Sequence, residues 1–399
     1  MSMNQTWVKI PDVLFFQEGP GVRNTQYTTQ GVKLLNVANL VDGMIDLSTS
    51  DRYISEEEAF GKYKHFLCDV GDFIVASSGI KVEYVDKKMG FIDESMLPLC
   101  MNTSTIRFKV LDENRLTIRY FMYYLKSRHF KDQLAHYITG SAQLNYGPSH
   151  LSKMKMPLIS LSDQQRIVST LDKLQSIITN RKQQLAKLDE LVKARFVEMF
   201  GDPEADNCTY PTSKLKELSI KISDGVHAKP EYTDTGRPFL SVVNINRKKV
   251  DFTDCKFVSE EAYQKMIKST HPEKGDVLYT KVGATYGIPA YVDTDIEFCL
   301  YVSVCLIKPK HELINSKFLA IQMDMPFVKH QADRRIKGIG VPDLHLNQIS
   351  EFDIICPPRE LQDSFVGFVE QTDKSKVVVQ KALDEAQLLF DSLMQEYFG

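Results

Sequence analysis

Tyr27-Thr28-Thr29-Gln30-Gly31 recurs as Tyr232-Thr233-Asp234-Thr235-Gly236, and Leu35-x-Val37-x-Asn39 recurs as Leu240-x-Val242-x-Asn244, both at a shift of 205 residues. Working outward, Tyr53-Ile54-Ser55-Glu56-Glu57 meets Phe257-Val258-Ser259-Glu260-Glu261. Gly71-Asp72 and Gly79 meet Gly275-Asp276 and Gly283, now at a shift of 204. Later still, Gly140 meets Gly338 and Phe200-Gly201 meets Phe398-Gly399, at a shift of 198. Small loop insertions and deletions in a duplicated fold produce this slow drift. The period is far longer than that of a solenoid repeat. The chain reads as two copies of one module.

Each copy divides into a compact part and a long helix. Phe239 to Ile245, Asp276 to Thr280 and Cys299 to Leu306 read as strands, rich in β-formers. Glu260 to Ile267 and Ser316 to Met323 read as helices, echoed by Glu56 to Tyr63 and Leu116 to Leu125. Strands and helices do not alternate regularly, so the expected class is α+β. The helical signal is strongest at Ile167, Leu171, Leu174, Ile178, Arg181, Leu185, Leu188, Val192, Arg195 and Met199, spaced alternately by four and three. Adding 198 gives Phe365, Val369, Thr372, Lys376, Val379, Leu383, Ala386, Phe390, Leu393 and Tyr397. Both sets are mostly apolar over more than four heptads, the coiled-coil template. Ser162-Asp163-Gln164-Gln165 offers a capping box, Pro357-Pro358 opens the second helix, and Gly201-Asp202-Pro203 stops the first. The expected division is 1–158 compact, 159–201 helical, 202–356 compact and 357–399 helical.

The chain of 399 residues is 43% hydrophobic and 25% charged, enough for a packed core in each half. No apolar run reaches the roughly 18 residues a membrane span needs, and the N-terminal stretch lacks a signal-peptide pattern. Seven scattered cysteines without a C-x-x-C pair fit buried thiols in a reducing, cytoplasmic setting. The formal net charge of -3 divides into +1, +2, -2 and -4 over the four segments. DNA contact would therefore need local patches, or a partner that supplies phosphate attraction.

Catalytic apparatus is missing from the pattern. There is no G-x-x-x-x-G-K-[ST] phosphate loop and no H-E-x-x-H metal motif. No glycine-rich strand-turn-helix suits a dinucleotide or S-adenosylmethionine. Cys356-Pro357-Pro358-Arg359 lacks the polar first residue and aromatic last residue of an adenine methyltransferase motif. Lys281-Val282-Gly283-Ala284-Thr285-Tyr286-Gly287 fits either a phosphate cradle or a tight strand-to-strand turn.

Several stretches resemble the specificity subunits of Type I restriction-modification systems. Gly140-Ser141-Ala142-Gln143-Leu144-Asn145 is one. Ile222-Ser223-Asp224-Gly225-x-His227-x-x-Pro230-x-Tyr232 is another. The third runs from Leu185 through Leu188-Asp189-Glu190-Leu191, Lys193-Ala194 and Phe196 to Glu198-Met199-Phe200-Gly201-Asp202-Pro203. The likeness covers essentially the whole chain in order. It departs at Gly338-Ile339-Gly340-Val341-Pro342, where the first copy has Gly140-Ser141-Ala142-Gln143, so base contacts do not transfer between halves.

The resemblance implies two target recognition domains joined by two long antiparallel coiled-coil helices in a pseudo-twofold body, each domain reading half of a split duplex DNA target. It also implies a non-catalytic chain without a cofactor of its own. Two adenine-N6 methyltransferase subunits and two motor-nuclease subunits would carry S-adenosylmethionine, ATP and Mg. A helix from Asp163 to Phe200 is about 57 Å long at 1.5 Å per residue, or roughly 17 base pairs at about 3.4 Å each. Candidate DNA-contacting residues lie in polar loops with interleaved aromatics, where side chains have reach and hydrogen-bonding groups. They are Arg23, Asn24, Gln26, Tyr27, Lys81, Gln143 and Asn145 in the first copy. In the second they are His227, Lys229, Tyr232, Lys281, Thr285, Tyr286, Arg334, Arg335 and Lys337, the last three better placed for phosphates than bases. Two other readings stand beside this one: a self-contained DNA-modifying enzyme with an unrecognised active site, and a coiled-coil scaffold without DNA reading.

Overall fold

The repeat in sequence is also a repeat in strand order. A computed structural model describes residues 5–138, 144–205, 208–336 and 340–399. Repeat 1 contains β1 (Thr6–Lys9), β2 (Leu14–Glu18), β3 (Val32–Leu35), β4 (Leu40–Val41), β5 (Met44–Ile45), β6 (Tyr53–Ile54) and β7 (Phe73–Ala76). It continues with β8 (Ser78–Ile80), β9 (Met89–Phe91), β10 (Leu99–Met101), β11 (Thr105–Val110), β12 (Leu144–Asn145) and β13 (Lys155–Leu158). Its helices are α1 (Glu56–Phe60), α2 (Ile118–Lys126), α3 (Arg128–Tyr137) and α4 (Pro148–Leu151), followed by the long α5 (Leu161–Phe200). Repeat 2 has β14 (Thr212–Lys214), β15 (Ser219–Asp224), β16 (Arg237–Leu240), β17 (Lys256–Val258), β18 (Val277–Thr280), β19 (Pro289–Tyr291), β20 (Cys299–Leu300), β21 (Val304–Pro309) and β22 (Asp353–Ile355). Its helices are α6 (Glu260–Met266), α7 (Ser316–Met323), α8 (Pro326–Arg335), α9 (Leu346–Ile349) and the long α10 (Arg359–Phe398).

Three sheets of repeat 1 have counterparts in repeat 2, while the short pairs β12-β8 and β4-β5 are sheets in repeat 1 only, among the described residues. An antiparallel sheet β2-β11-β7-β9 in repeat 1 becomes β15-β21-β18-β19 in repeat 2. A mixed sheet, β10-β3-β6, becomes β20-β16-β17, with one parallel and one antiparallel pairing in each. The pair β1-β13 becomes β14-β22. The duplicated asparagines explain part of this. Asn39 and Asn244 are buried and each closes a 3₁₀ turn. The side-chain carbonyl accepts from the backbone N–H three residues earlier, and the amide donates to a carbonyl seven residues later.

By contacts the chain forms two units, residues 1–182 with 381–399 and residues 183–380, so both long helices contribute to both. In the first unit, α2 lays Tyr120 and Tyr124 against Phe398, with ring centroids 5.2 and 6.2 Å apart, while Tyr123 donates to Asp172 at 2.6 Å. In the second, Phe196 and Phe200 of α5 meet Phe318 of α7 and Phe365 of α10 with ring centroids 5.3–6.3 Å apart. There the two long helices run antiparallel: Phe196 touches Phe365, and Asp189 pairs with Lys376 at 2.8 Å. Fully burying an aromatic ring contributes about 1.5–3 kcal/mol, so these residues anchor the helices to the sheets.

Most seam positions read from the periodicity are buried, including Ile167, Leu171, Leu174, Ile178, Val192, Phe365, Val369, Leu383, Phe390 and Tyr397. Several boundaries differ. The α5 cap is Ser160, whose Oγ accepts from the Asp163 N–H at 3.2 Å, rather than the Ser162 of the expected box, and Gln164 turns into the core. The apolar run Cys299 to Leu306 breaks in two, with a turn in which the Val304 N–H donates to the Tyr301 carbonyl. Its first half joins β16 and its second half joins β18, in different sheets. The stretch expected as a strand to Ile245 turns at Val242 into the 3₁₀ segment Val242–Lys248. Helix α1 ends at Phe60, capped by Gly61, three residues short of Tyr63. All seven cysteines are free thiols, and burial pushes Cys68, Cys100 and Cys299 up to about 12. Among the described residues no helix is long and apolar enough to cross a membrane.

Candidate functional site

Three loops of repeat 2 converge at the ends of the antiparallel sheet. The first leaves β15 at Gly225. A Cβ there would lie 2.1 Å from the Leu300 carbonyl oxygen, so only glycine lets the chain pass. Beyond it, His227 is exposed with Nε2 3.8 Å from Asp224 Oδ2. The Lys229 ammonium sits 5.5 Å from the Tyr232 ring centroid, and Tyr232 packs on Phe239.

The second loop, Lys281 to Gly287, joins β18 to β19 and turns at Gly283 and Gly287, with φ of +86° and +85°. Four of its N–H groups are turned inward. Lys281 donates to Ser303 O, Gly283 to Pro342 O, Tyr286 to Gly283 O and Gly287 to Thr280 O. The Thr280 hydroxyl donates to Thr285 O at 2.7 Å and accepts from Ile288 N–H at 2.8 Å. The structure thus chooses the tight strand-to-strand turn over the phosphate cradle. Thr285 is exposed. Tyr286 donates to Asp333 at 2.5 Å and carries the Lys329 ammonium 3.3 Å from its ring centroid, which fastens the turn to α8.

The third loop follows α8 and returns beside the second. Leu344 N–H donates to Lys281 O at 2.9 Å, and Asp343 bridges to Val282. Arg334 is exposed, its Nε donating to the His330 carbonyl within its own helix. Arg335 is half-buried: its guanidinium donates to Gln331 O and Glu351 O and lies over the Phe352 ring. Lys337 lies outside the described residues, as does Gln143 of repeat 1.

Repeat 1 rebuilds this arrangement with other side chains. Gly19 occupies the place of Gly225, and a Cβ there would lie 2.1 Å from Asn102 O. Asn145 pairs with Ser78, and Tyr146 N–H donates to Ser77 O at 2.9 Å, bonds equivalent to those of Asp343 and Leu344. Arg23, Asn24, Lys81 and Asn145 are exposed. Gln26 instead reaches inward, donating to Glu58 at 2.6 Å and to the Tyr63 hydroxyl at 3.0 Å, which ties the first loop to α1 and to the turn that follows it. Tyr27 is half-buried, with the Arg52 guanidinium 5.3 Å from its ring centroid.

Lys281 is only 4% exposed and points to Asp224 and Asp343 at 3.5 and 3.6 Å. Burial holds the Asp224 carboxyl above its ordinary range, with Lys281 pulling it back down. Sequence reading singled out neither aspartate as a site residue. The shift of 198 would have found Asp343, since it aligns that residue with Asn145.

Comparison with known proteins gives a consistent picture. A family model described as Type I restriction modification DNA specificity domain matches twice, over residues 24–190 and 209–386. The Type I restriction enzyme MjaIX specificity subunit of Methanocaldococcus jannaschii is 21% identical over 323 residues, 77% of this chain and 73% of that protein. The EcoKI specificity subunit of Escherichia coli K12 is 19% identical over 306 residues, 69% of this chain and 63% of that one. The crystal structure of a Type I restriction-modification S subunit from M. genitalium matches the fold over 100% of this chain and 96% of its own, with a TM-score of 0.58 at 18% identity.

Proposed function

The chain belongs to the Type I restriction-modification DNA specificity family, and from that premise we propose that its two repeats read the two halves of a split duplex target on behalf of separate catalytic subunits. The observation that carries this reading is the duplicated loop junction. Gly19 and Gly225 mark the same close passage of the chain, and Ser77 and Lys281, and Asn145 and Asp343, occupy matching backbone positions with matching main-chain bonds yet differ in side-chain chemistry. A constant frame with variable side chains suits recognition of two different half-sites, because backbone geometry positions while side chains discriminate.

The exposed residues Arg23, Asn24, Lys81, Asn145, His227, Lys229, Tyr232, Thr285 and Arg334 are the proposed contacts, with Gln143 and Lys337 as sequence-level candidates. Gln26, Tyr27, Lys281, Tyr286 and Arg335 support the loops from behind. The chain itself is non-catalytic in this proposal. Two methyltransferase and two motor-nuclease subunits would bring S-adenosylmethionine, ATP and Mg in the cytoplasm. A net charge of -3 fits a reader whose phosphate attraction comes partly from partners. Apolar side chains on the long helices, Ile177, Leu191 and Val197 on α5 and Val377, Val378 and Leu388 on α10, face solvent and offer partners an apolar surface.

The test is exchange of residues 202–356 for the matching domain of a relative, with the methylated motif mapped in cells that supply the methyltransferase. One half-site should change and the other persist. Change in both, or methyl transfer by the purified chain alone, would refute the division of labour.

A further inference from the structure

Asp224 at the end of β15, Lys281 just beyond β18 and Asp343 in the loop after α8 meet at one point. Strand register brings them there. Thr280 pairs with Val304, and Lys281 continues that ladder by donating its N–H to Ser303 O at 3.0 Å. Asp224 pairs with Cys305. Cross-strand partners and alternate residues share a face, so Asp224, Lys281, Ser303 and Cys305 all lie on the same side of the sheet. The ammonium is buried between the carboxylates of Asp224, 14% exposed, and Asp343, 47% exposed. Asp224 Oδ1 and Ser303 Oγ are buried and have no hydrogen-bond partner among the described residues. The other titratable groups facing Asp224 are His227 at the rim and the buried Cys305 thiol.

Repeat 1 shows that the backbone junction does not require this ion set. Ser77 and Asn145 stand where Lys281 and Asp343 stand, and Glu18 precedes Gly19 as Asp224 precedes Gly225, with the same main-chain bonds. An acid before the glycine is common to both repeats, whereas the charges of Lys281 and Asp343 belong to the second alone. Without the ammonium, two carboxylates would face each other on a surface that meets phosphates, splaying the loops that carry them. We infer that Lys281 is a positioning residue for the second half-site: it neutralises Asp224 and Asp343 from behind and holds the three loops in the register from which their exposed side chains read DNA. This inference rests on the specificity function proposed above.

The experiment uses the full chain assembled with its methyltransferase, and duplexes with the target intact, the first half-site scrambled or the second half-site scrambled. In Lys281→Met, preference for the intact duplex over the second scramble should fall by roughly tenfold or more, the scale of losing discrimination at a base pair. Preference over the first scramble should be unchanged, and Lys281→Arg should retain both. The Met variant should recover as pH falls from about 8 to about 5.5, because protonating one carboxyl relieves the repulsion. Lys281→Met/Asp343→Asn should recover at neutral pH, and remains informative if the single variant folds poorly. A Met variant that keeps full second-half discrimination, loses both halves together, or loses the second half without relief by pH or by Asp343→Asn would overturn the positioning role. A wild-type complex that discriminates neither half-site would overturn the specificity reading itself, and the positioning role with it.

Discussion

Gln164 and Gln362 offer a quantitative test of whether the duplicated modules hold themselves together separately. Each is wholly buried near the start of a long helix. Gln164 accepts from Thr117 N–H at 2.9 Å and donates to Arg115 O at 2.8 Å and Ile159 O at 3.0 Å. Gln362 repeats the set, accepting from Asn315 N–H at 2.7 Å and donating to Leu313 O at 3.1 Å and Pro357 O at 2.8 Å. Gln164→Met keeps the side-chain shape but strands three buried backbone groups. Each such loss costs about 1–3 kcal/mol, offset in part by relaxation and by burying a thioether in place of an amide, so the net is about 3 kcal/mol. For a unit of this size roughly 2–4 °C is lost per kcal/mol, which predicts a Tm lower by about 6–12 °C. The chain has one tryptophan, Trp7, which lies in the same unit as Gln164 with its ring 4.6 Å from His129. Fluorescence therefore reports that unit alone, while circular dichroism reports both. Gln164→Met should move the fluorescence transition; Gln362→Met should leave it in place and lower only part of the dichroism transition. A Gln164→Met shift below about 2 °C would refute the energetic reasoning. Equal fluorescence shifts in both variants would refute the separateness of the units.

Two further outcomes are expected. Arg334→Ala should lower the slope of log K against log salt by roughly 0.9 if its guanidinium meets one phosphate, whereas Arg335→Ala, whose guanidinium is tied to Gln331, Glu351 and Phe352, should lower thermal stability and leave the slope alone. Inserting four helix-forming residues beside Gly201-Asp202 adds about 6 Å, close to two base pairs at about 3.4 Å each; the mapped motif should keep both half-sites with a spacer one or two pairs longer, and an active complex with an unchanged spacer would remove any ruler role from the helices.

What the sequence made legible was whatever repeats or has a period. The alternating four-three spacing located both long helices because an amphipathic helix needs a continuous apolar stripe, and the shift of about 200 residues exposed the duplication. Asn39 and Asn244 stood out as a repeated pair, although their role as buried turn-closers emerged only from their hydrogen bonds. The break in Cys299 to Leu306 was illegible because nothing in that run disfavours a strand; competing partners in two sheets impose the turn. The loop residues were read only by type. Arg23 and Gln26 look alike as polar candidates in a loop, but one is exposed and the other is spent on Glu58 and Tyr63. That distinction depends on α1, which is remote in sequence.

The same contrast explains how one module could diverge into two readers without losing its fold. The turns at the proposed target face are closed chiefly by main-chain bonds: Tyr146 to Ser77 in repeat 1, and Leu344 to Lys281 and Gly283 to Pro342 in repeat 2. Main-chain bonds tolerate almost any side chain, so Ser77 can become a lysine and Asn145 an aspartate with the path of the loop unchanged. What cannot vary freely is charge in a half-buried place, where an unbalanced ion costs several kcal/mol. An aspartate at 343 therefore creates a demand that an asparagine at 145 does not, and Lys281 meets it. Divergence at such a face should thus proceed in charge-compensated sets rather than single residues, with the exposed members free to track the DNA and the buried members constrained by one another.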